Sequence, residues 1–463
     1  MPTPLPRRLA LGYGVAEVGA SLSYNAINFF LLFFLVEVAR LRPELAGAVL
    51  LLGRVFDAVT DPLMGVWSDR VRARRGTRTP FIARGALPFG LTFALLWALP
   101  ALEHQGALLA LAAAALLLHT LVYTFVQVPY LAMTPELAPD YESRTVLSGY
   151  RVVFATFASL VAAAAPPLLA AQFNAWRGLP EGAAFGWRAM GLLFGALMSL
   201  AYAATALAVR EPARPGGRAA VPAARREGAL RSLAAAHGYL PVLALFATLT
   251  LGLGTLSSIL PFFLASRLQL PPAVQTGLLG LLFVVAALSV PLWTRLSSRL
   301  GKRGALSVGL ALLAVSLPAL VLMSPAGALS AALLLGTVVV GVGVGAVLLF
   351  PWAMLPDVLE FDALARGAAR ERRDGLLYAG FTFAQKLAFA LAAALNGFML
   401  GALGYRAGES VQPPSALAGV SWTVGGTAAF VFLLALPLVW RYPISRRAHE
   451  AARERLAARD AEV

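Results

Sequence analysis

Residues 45–70 read LAGAVLLLGRVFDAVTDPLMGVWSDR, an apolar run that carries three charged residues near its centre. These residues, Arg54, Asp57 and Asp61, stand at i, i+3 and i+7, so on an α-helix they share one face. The run exceeds the roughly 20 residues that a helix needs to cross a bilayer. A charge at bilayer depth costs at least about 2.5 kcal/mol, so each of these side chains needs a partner or a function. The segment therefore predicts a membrane helix with a one-sided polar pocket.

The composition of the whole chain matches this segment. Of its 463 residues, 59% are hydrophobic and 13% are charged, against roughly 45 to 50% and about 25% in soluble domains, which argues against a soluble enzyme. The chain has no Cys, so disulfides, thiolate metal sites and cysteine nucleophiles are excluded. The net charge of +15 falls in short Arg-rich segments between apolar runs, a pattern typical of membrane orientation. We therefore expect lipid, and no nucleic acid, as a partner.

Twelve membrane-spanning helices are predicted from the apolar runs. They cover residues 9–38, 44–69, 79–100, 105–137, 146–171, 188–209, 238–266, 273–297, 304–324, 328–361, 375–403 and 417–440. The first run lacks a cleavage pattern, so we expect it to be retained. Arg-rich loops follow every second span, and cytoplasmic loops are the ones that retain Lys and Arg. The sequence thus predicts an all-α, multi-pass protein of the cell inner membrane with both termini in the cytoplasm.

A Pro-, Gly-, Ala- and Arg-rich stretch divides these spans into two sets of six and is predicted to be a linker. A faint repeat relates the two sets, because Gly12-Tyr13 recurs as Gly238-Tyr239. Two repeated six-helix halves are a transporter plan in which the substrate binds between them. The predicted domains are an N-terminal six-helix bundle at 1–210, a cytoplasmic linker at 211–237, a C-terminal six-helix bundle at 238–441 and a cytoplasmic tail at 442–463.

The acidic pair on the second span is a candidate cation site. Two carboxylates one turn apart can share a proton or supply hard oxygen ligands to Na⁺. Thr60 is a candidate additional ligand, and Arg54 is expected to neutralise the site when the cation is absent. The alternative is that Arg54 pairs with Asp57 only to hold helices together. The expected coupling ion is Na⁺ or H⁺, and no other metal or cofactor is predicted.

Other polar residues are expected at a similar depth on other spans. At 1.5 Å per residue, Glu17, Asp61, Arg151 and Lys386 lie about 10 to 18 Å from the cytoplasmic face. The fourth span adds a polar stripe that begins at His119, for which a satisfied core histidine is the alternative to a proton relay. The candidate substrate ligands are Glu17, Tyr24, Asn25, Tyr123, Gln127, Arg151 and Lys386. Interhelical hydrogen bonds and salt bridges are the structural alternative for these residues.

Charged residues in or next to the Arg-rich loops, which follow every second span, form a candidate cytoplasmic gate. Its residues are Asp69, Arg70, Arg74, Arg75, Arg144, Arg295 and Arg299. The arginines alternatively serve only as positive-inside determinants. Asp69 is expected to have an electrostatic partner, because it is an acid in a basic loop.

Two other classes of protein compete with a transporter. An intramembrane enzyme needs a nucleophile beside a base, and the spans show no His-acid pair at short helical spacing and no Ser-His constellation. A non-transporting scaffold has no need of Asp57, Asp61 and Lys386. We therefore predict a protein that is not an enzyme and that moves a small molecule.

Several motifs together resemble one transporter family. They are RVFDAVTDPLMGVWSDR at 54–70, RGTRTPF at 75–81, VPYLAMTPELAPDYESRTVLSGYR at 128–151, the stretch 354–386 that ends in FAQK, and Gly404-Tyr405. The chain is similar in these motifs, and over almost its whole length, to the glycoside-pentoside-hexuronide cation symporters of the major facilitator superfamily, the group that includes bacterial melibiose permease.

This resemblance implies the major facilitator fold, twelve helices in two pseudosymmetric six-helix bundles, and cation-coupled symport by alternating access. It implies that Asp57 and Asp61 bind the cation with help from Thr124. It also matches Arg151 and Lys386 to residues on which the function of melibiose permease depends, and Arg54 to a second-helix arginine of that permease. A monomer is implied as well.

Two departures from that permease bear on the substrate, because Gln127 and Leu131 stand where it has a sugar-binding aspartate and a tryptophan. A sugar or glycoside is the expected substrate class. A lysophospholipid or other amphiphile is the alternative, since a lysophosphatidylcholine transporter is a more distant relative with a similar acidic pair.

Overall fold

The computed structural model describes residues 6–100, 102–138, 141–209, 238–324, 327, 329–366 and 374–442, and in this part of the chain all regular secondary structure is helical. The helices before residue 210 are α1 (Arg7–Gly14), α2 (Ala16–Ala26), α3 (Pro43–Arg75), α4 (Thr79–Leu96), α5 (Gln105–Ala132), α6 (Thr134–Leu137), α7 (Tyr141–Ala164), α8 (Pro166–Trp176) and α9 (Ala184–Ala208). Those after residue 237 are α10 (Tyr239–Phe262), α11 (Pro272–Leu288), α12 (Val290–Met323), α13 (Ala331–Arg366), α14 (Asp374–Ala402), α15 (Pro414–Trp422) and α16 (Ala428–Arg441).

Every predicted span coincides with helical structure. Of the twelve predicted spans, those that match nine of the described helices are long and apolar enough in the structure to cross a membrane by themselves. The first span is instead divided between α1, α2 and two π-helical segments. The second, α3, carries the three charges of its polar face within eight residues. The eighth span runs from α11 into the beginning of α12, where Gly301 at φ 73° breaks the helix before the ninth span.

The chain divides into two compact units. The first unit contains 1–220, 258–280 and 393–419, and the second contains 221–257, 281–392 and 420–463. The predicted linker at 211–237, and the tail from residue 443 onward, lie outside the described residues. The predicted division into an N-terminal bundle, a linker and a C-terminal bundle therefore stays a prediction.

Helices α4 and α9 of the first unit approach each other through backbone atoms. Gly90 and Gly195 face each other there, and a Cβ atom built on Gly90 would overlap the carbonyl oxygen of Gly195. Small residues allow such close approach between membrane helices, where van der Waals packing drives association. Fully buried aromatic side chains, among them Phe89 and Phe194, flank the two glycines.

Gly90→Ala is expected to destabilise the protein by about 1 to 3 kcal/mol, because the added methyl group overpacks a contact between backbones that cannot move aside. Gly149→Ala in α7 is the matched control, since a Cβ there meets no atom within 4 Å. Alanine also favours a helix by about 0.5 to 1 kcal/mol over glycine. Thermal unfolding of the purified protein should show a lower midpoint for the first variant only. Equal midpoints for the two variants would contradict the backbone contact.

Two turns of the first unit have the same design. A π-helical segment, Phe34–Val38 or Phe263–Arg267, ends each of two helical spans. Two residues further on, Arg40 and Gln269 adopt positive φ angles of 63° and 52°. A proline then begins α3 and α11 at Pro43 and Pro272. All these features are separated by 229 positions, so the turns support the internal repeat that the sequence suggests faintly.

Tyr405 joins the two turns. Its hydroxyl group donates a hydrogen bond to Glu37 Oε1 at 2.6 Å and lies 2.6 Å from Ser266 Oγ. Glu37 and Ser266 occupy corresponding positions of the two π-helical segments, again 229 positions apart. Burial raises the pKa of Tyr405 well above its ordinary value, so its phenol remains a hydrogen-bond donor.

Candidate functional site

The predicted acidic pair and Thr124 come together between α3 and α5. Thr124 Oγ1 lies 3.1 Å from Asp57 Oδ1 and 3.1 Å from Asp61 Oδ1. Asp57 and Thr124 are buried and Asp61 is half-buried. A hydroxyl group has one proton, so it satisfies only one of the two carboxylates at a time. The arrangement therefore places two carboxylates and a hydroxyl oxygen where a monovalent cation or a proton would neutralise charge.

Thr60, the other predicted cation ligand, directs its hydroxyl group toward its own helix. Thr60 Oγ1 is 3.1 Å from the carbonyl oxygen of Phe56 and 3.3 Å from that of Asp57. A helical threonine often bonds to the preceding turn in this way. Its hydroxyl oxygen keeps lone pairs for a cation, so its role as a ligand stays a prediction.

Arg54 is held by groups on the first span. Its Nη2 donates to Asn28 Oδ1 at 2.6 Å, and its guanidinium group lies 5.0 Å from the centre of the Tyr24 ring. Asn28 belongs to the π-helical segment Ile27–Leu31, and such segments frequently occur at functional sites. The sequence suggested Arg54 as a charge partner but gave no sign of Asn28 as its acceptor.

A second charged pair of the first unit joins α2 and α7. Arg151 donates to Glu17 Oε1 from Nε at 2.8 Å and from Nη2 at 2.5 Å. Glu17 is buried and Arg151 is half-buried, with its guanidinium group 5.5 Å from the centre of the Tyr130 ring. These two predicted substrate ligands therefore lie together, and a substrate role for them stays a prediction.

A small, partly open cavity of about 30 Å³ lies beside Asp57 of the acidic pair. Its polar wall contains Arg54 and Asp57 together with hydroxyl groups and an imidazole from α2 and α5. The lining residues are Ser23, Tyr24, Ile27, Leu50, Gly53, Arg54, Asp57, Leu116, His119, Thr120 and Tyr123. The cavity thus includes two predicted substrate ligands, Tyr24 and Tyr123.

The remaining predicted substrate ligands have other surroundings. Gln127 is buried, and its Oε1 accepts a hydrogen bond from Tyr202, which the sequence did not suggest. Asn25 Nδ2 donates to Ser21 O and Ser159 Oγ, both at 2.9 Å. Lys386 lies half-buried on α14 of the second unit. A substrate role for all three stays a prediction.

The predicted gate residue Asp69 has a partner that the sequence did not indicate. Arg78, which is buried, donates from Nη2 to Asp69 Oδ1 at 2.5 Å and from Nη1 to Glu136. Arg72 Nε lies 3.1 Å from Glu136 Oε2, so two acids and two bases form one cluster. The sequence shows Arg78 within the 75–81 motif and Glu136 at the end of the fourth predicted span. Neither residue is a charge at bilayer depth, so the argument from depth gave no reason to expect a partner for it.

The predicted gate arginines lie outside this cluster. Arg70, Arg74, Arg75, Arg144, Arg295 and Arg299 are exposed. Of these, Arg144 donates from Nε to the carbonyl oxygen of Ala138 at 2.8 Å. Their exposure is what positive-inside determinants require, and a gating role for them stays a prediction.

The second unit contains a separate charged cluster. Lys302 Nζ donates to Asp357 Oδ1 at 2.8 Å and Oδ2 at 2.7 Å, and the Tyr442 hydroxyl group donates to Oδ2 at 2.6 Å. Burial, and then the bond to Asp357, raise the pKa of Tyr442 well above its ordinary value. Asp357 belongs to the 354–386 motif, but its partners did not emerge from the sequence.

The fold is that of known transporters. A crystal structure of a bacterial homolog to the human lysosomal transporter Spinster superposes with a TM-score of 0.69, at 16% sequence identity, over 96% of this chain and 100% of that one. The predicted fold class, an all-α membrane protein with the major facilitator fold, is confirmed by this likeness together with the MFS family profile that matches residues 12–446. In the described residues, no group of three or more His, Asp or Glu side chains is placed to hold a metal ion.

Three relatives carry names of symporters. An uncharacterized symporter of Synechocystis sp., sll1374, is 30% identical over 97% of this chain and 96% of its own length. A putative glycoside/cation symporter of Escherichia coli, YagG, is 39% identical over 34% of each chain. A sodium-dependent lysophosphatidylcholine symporter 1-A of Danio rerio is 27% identical over 95% of this chain and 86% of its own.

The family profile agrees with these relatives over most of the chain. It matches residues 12–446 and describes an MFS/sugar transport protein. The predicted resemblance to cation symporters of the major facilitator superfamily is confirmed by this match together with the symporter relatives. The chain therefore belongs to the MFS/sugar transport protein family, whose members are membrane transporters.

Proposed function

We propose that this protein is a cation-coupled symporter for a sugar or glycoside, with Na⁺ or H⁺ bound between Asp57 and Asp61. The polar cluster of Asp57, Asp61 and Thr124 carries the proposal. The carboxylates of Asp57 and Asp61 each lie 3.1 Å from the one hydroxyl group of Thr124. Two like charges held so close in a low-dielectric region favour neutralisation by a monovalent cation.

Coupling between the cation and the substrate follows from the repulsion between these two carboxylates. The bound cation removes the repulsion between two carboxylates that a single Thr124 hydroxyl group cannot satisfy together. A neutralised site also costs less free energy to remove from water, so the protein closes more readily around a neutral substrate. Linkage then requires that the substrate raise the affinity for the cation by the same factor.

The substrate class rests on the family description and on the name of the Escherichia coli relative. A sugar hydroxyl group would find acceptors and donors in Tyr24, Tyr123 and Arg151. An amphiphile is the second candidate, because the Danio rerio relative is named for lysophosphatidylcholine and for sodium. Leu131, exposed at 41%, adds an apolar surface that suits an acyl chain better than a sugar.

Uptake into proteoliposomes tests the proposal. The vesicles receive a panel of radiolabelled glycosides or one fluorescent lysophospholipid, with an imposed Na⁺ gradient, an imposed pH gradient or neither. We expect accumulation of a glycoside above equilibrium under one of the two gradients, and its collapse when an ionophore dissipates that gradient. Lipid movement without glycoside uptake would show that the substrate is an amphiphile and not a sugar. Equal movement with and without gradients would refute symport.

A further inference from the structure

We infer that Ser23 is an additional oxygen ligand for a transported Na⁺ ion and that His119 positions it. The inference rests on the proposed function, since it adds a ligand beside Asp57 of the Asp57 and Asp61 site. It concerns Na⁺ as the coupling ion, because a hydroxyl oxygen beside a carboxylate is a direct ligand for a hard metal cation.

A hydrogen-bond chain leads from Thr92 through His119 to the Ser23 hydroxyl group. Thr92 Oγ1 donates to the carbonyl oxygen of Phe89 at 3.1 Å and lies 3.2 Å from His119 Nδ1. We assign to His119 the tautomer in which Nδ1 carries the proton and donates to Thr92, because this leaves the single threonine proton for Phe89. In this tautomer Nε2 accepts, and it lies 2.8 Å from Ser23 Oγ, so Ser23 donates to His119.

This donation leaves the lone pairs of Ser23 Oγ for another partner. Ser23 is only 1% exposed, yet it lines the cavity that also contains Asp57. The ring of His119 cannot turn away, because it stacks on Phe89 with centroids 5.5 Å apart and meets Phe93 edge-on at 5.5 Å. The imidazole therefore holds Ser23 as a fixed acceptor in the wall of the cavity.

The chemistry of the cavity matches a hard monovalent cation. Hard cations prefer carboxylate, hydroxyl and water oxygens. The cavity offers Asp57 and Ser23, and its polar wall suits water molecules that accompany an ion. Arg54 in the same wall is engaged by Asn28 and Tyr24. A cation bound against Asp57 in this cavity exchanges one water molecule for Ser23 Oγ.

Calorimetric titration of the purified protein with NaCl, without substrate, tests the inference. We expect Ser23→Ala to raise the Na⁺ dissociation constant about tenfold, the factor that corresponds to one lost contact to a charged group. Ser23→Thr retains the hydroxyl oxygen and should restore most of the affinity. Ser257→Ala is the matched control, because Ser257 is a buried serine of the second unit whose Oγ bonds the carbonyl oxygen of Gly254 at 3.2 Å.

A double-mutant cycle tests the role of His119. His119→Phe keeps the aromatic packing but removes the acceptor of Ser23, so we expect weaker Na⁺ binding. If His119 acts through Ser23, the double variant should bind Na⁺ no more weakly than Ser23→Ala alone, whereas independent structural damage would add. Melting midpoints accompany each titration, so a loss of folded protein is separated from a loss of affinity.

Three outcomes would overturn the inference and leave the proposed function standing. They are an unchanged Na⁺ affinity in Ser23→Ala, an effect on the half-saturating glycoside concentration alone, and wild-type uptake that a pH gradient drives while Na⁺ does not bind. Failure of every gradient to drive uptake would instead refute symport itself.

Discussion

Asp61→Asn is expected to abolish gradient-driven accumulation, by at least about a hundredfold, while the protein remains folded. The asparagine side chain has nearly the same shape, and Thr124 can still donate to Asp57. The polar cluster of Asp57, Asp61 and Thr124, however, would then hold one carboxylate and not two, so it would attract a cation much less strongly. The expected loss corresponds to roughly 3 kcal/mol, the size of one uncompensated buried charge interaction.

The measurement compares initial uptake rates in proteoliposomes for wild type, Asp61→Asn and Glu409→Gln. Glu409 provides the matched change, because it too loses one carboxylate charge but has a side chain exposed at 52%, outside the cluster. Substrate exchange without a gradient should partly survive in Asp61→Asn. Accumulation at the wild-type level in this variant would show that the coupling ion binds elsewhere.

Breaking the pair between Glu17 and Arg151 should have the largest effect on stability. Arg151→Gln and Glu17→Gln each leave one buried charge without its partner, which costs about 3 to 5 kcal/mol. The double variant removes both charges and should recover most of that stability, because an ion pair at this depth contributes little against a neutral pair. Thermal unfolding of the three variants and of wild type forms a complete cycle.

Uptake by the same variants separates the two interpretations of this pair. If Glu17 and Arg151 only hold α2 against α7, the folded double variant should transport at nearly the wild-type rate. If they bind substrate, as we propose, it should be stable and inactive, with a raised half-saturating substrate concentration where uptake is measurable. Recovery of both stability and transport would assign the pair a purely structural role.

The sequence predicted those parts of the site that depend on one helix at a time. The spacing of Asp57 and Asp61 determines that they share a face of α3, and the stripe on α5 directs Thr124 to the interior. Apolar runs likewise predicted where the helices lie, because the bilayer imposes their length. Depth, counted from the helix ends, placed Glu17 and Arg151 in one layer but did not indicate that they contact each other.

Contacts between helices were beyond this reasoning. Periodicity assigns a residue to a face, but the neighbour on the other helix depends on rotation and crossing angle. For that reason Asn28 as the acceptor of Arg54, and Tyr202 as the donor to Gln127, were not foreseen. Thr60 illustrates a second limit, because a helical threonine can bond to its own backbone or to a ligand and the spacing is the same in both cases.

Tyr405 has a thermodynamic consequence for any state in which the two repeated turns separate. Its hydroxyl group bonds Glu37 and Ser266 at once, so separation must break at least one of these bonds. At about 0.5 to 1.5 kcal/mol for one bond, the joined state gains a factor of roughly 2 to 13 in population. A single phenol therefore adds to the free energy that any conformational change has to supply before the turns part.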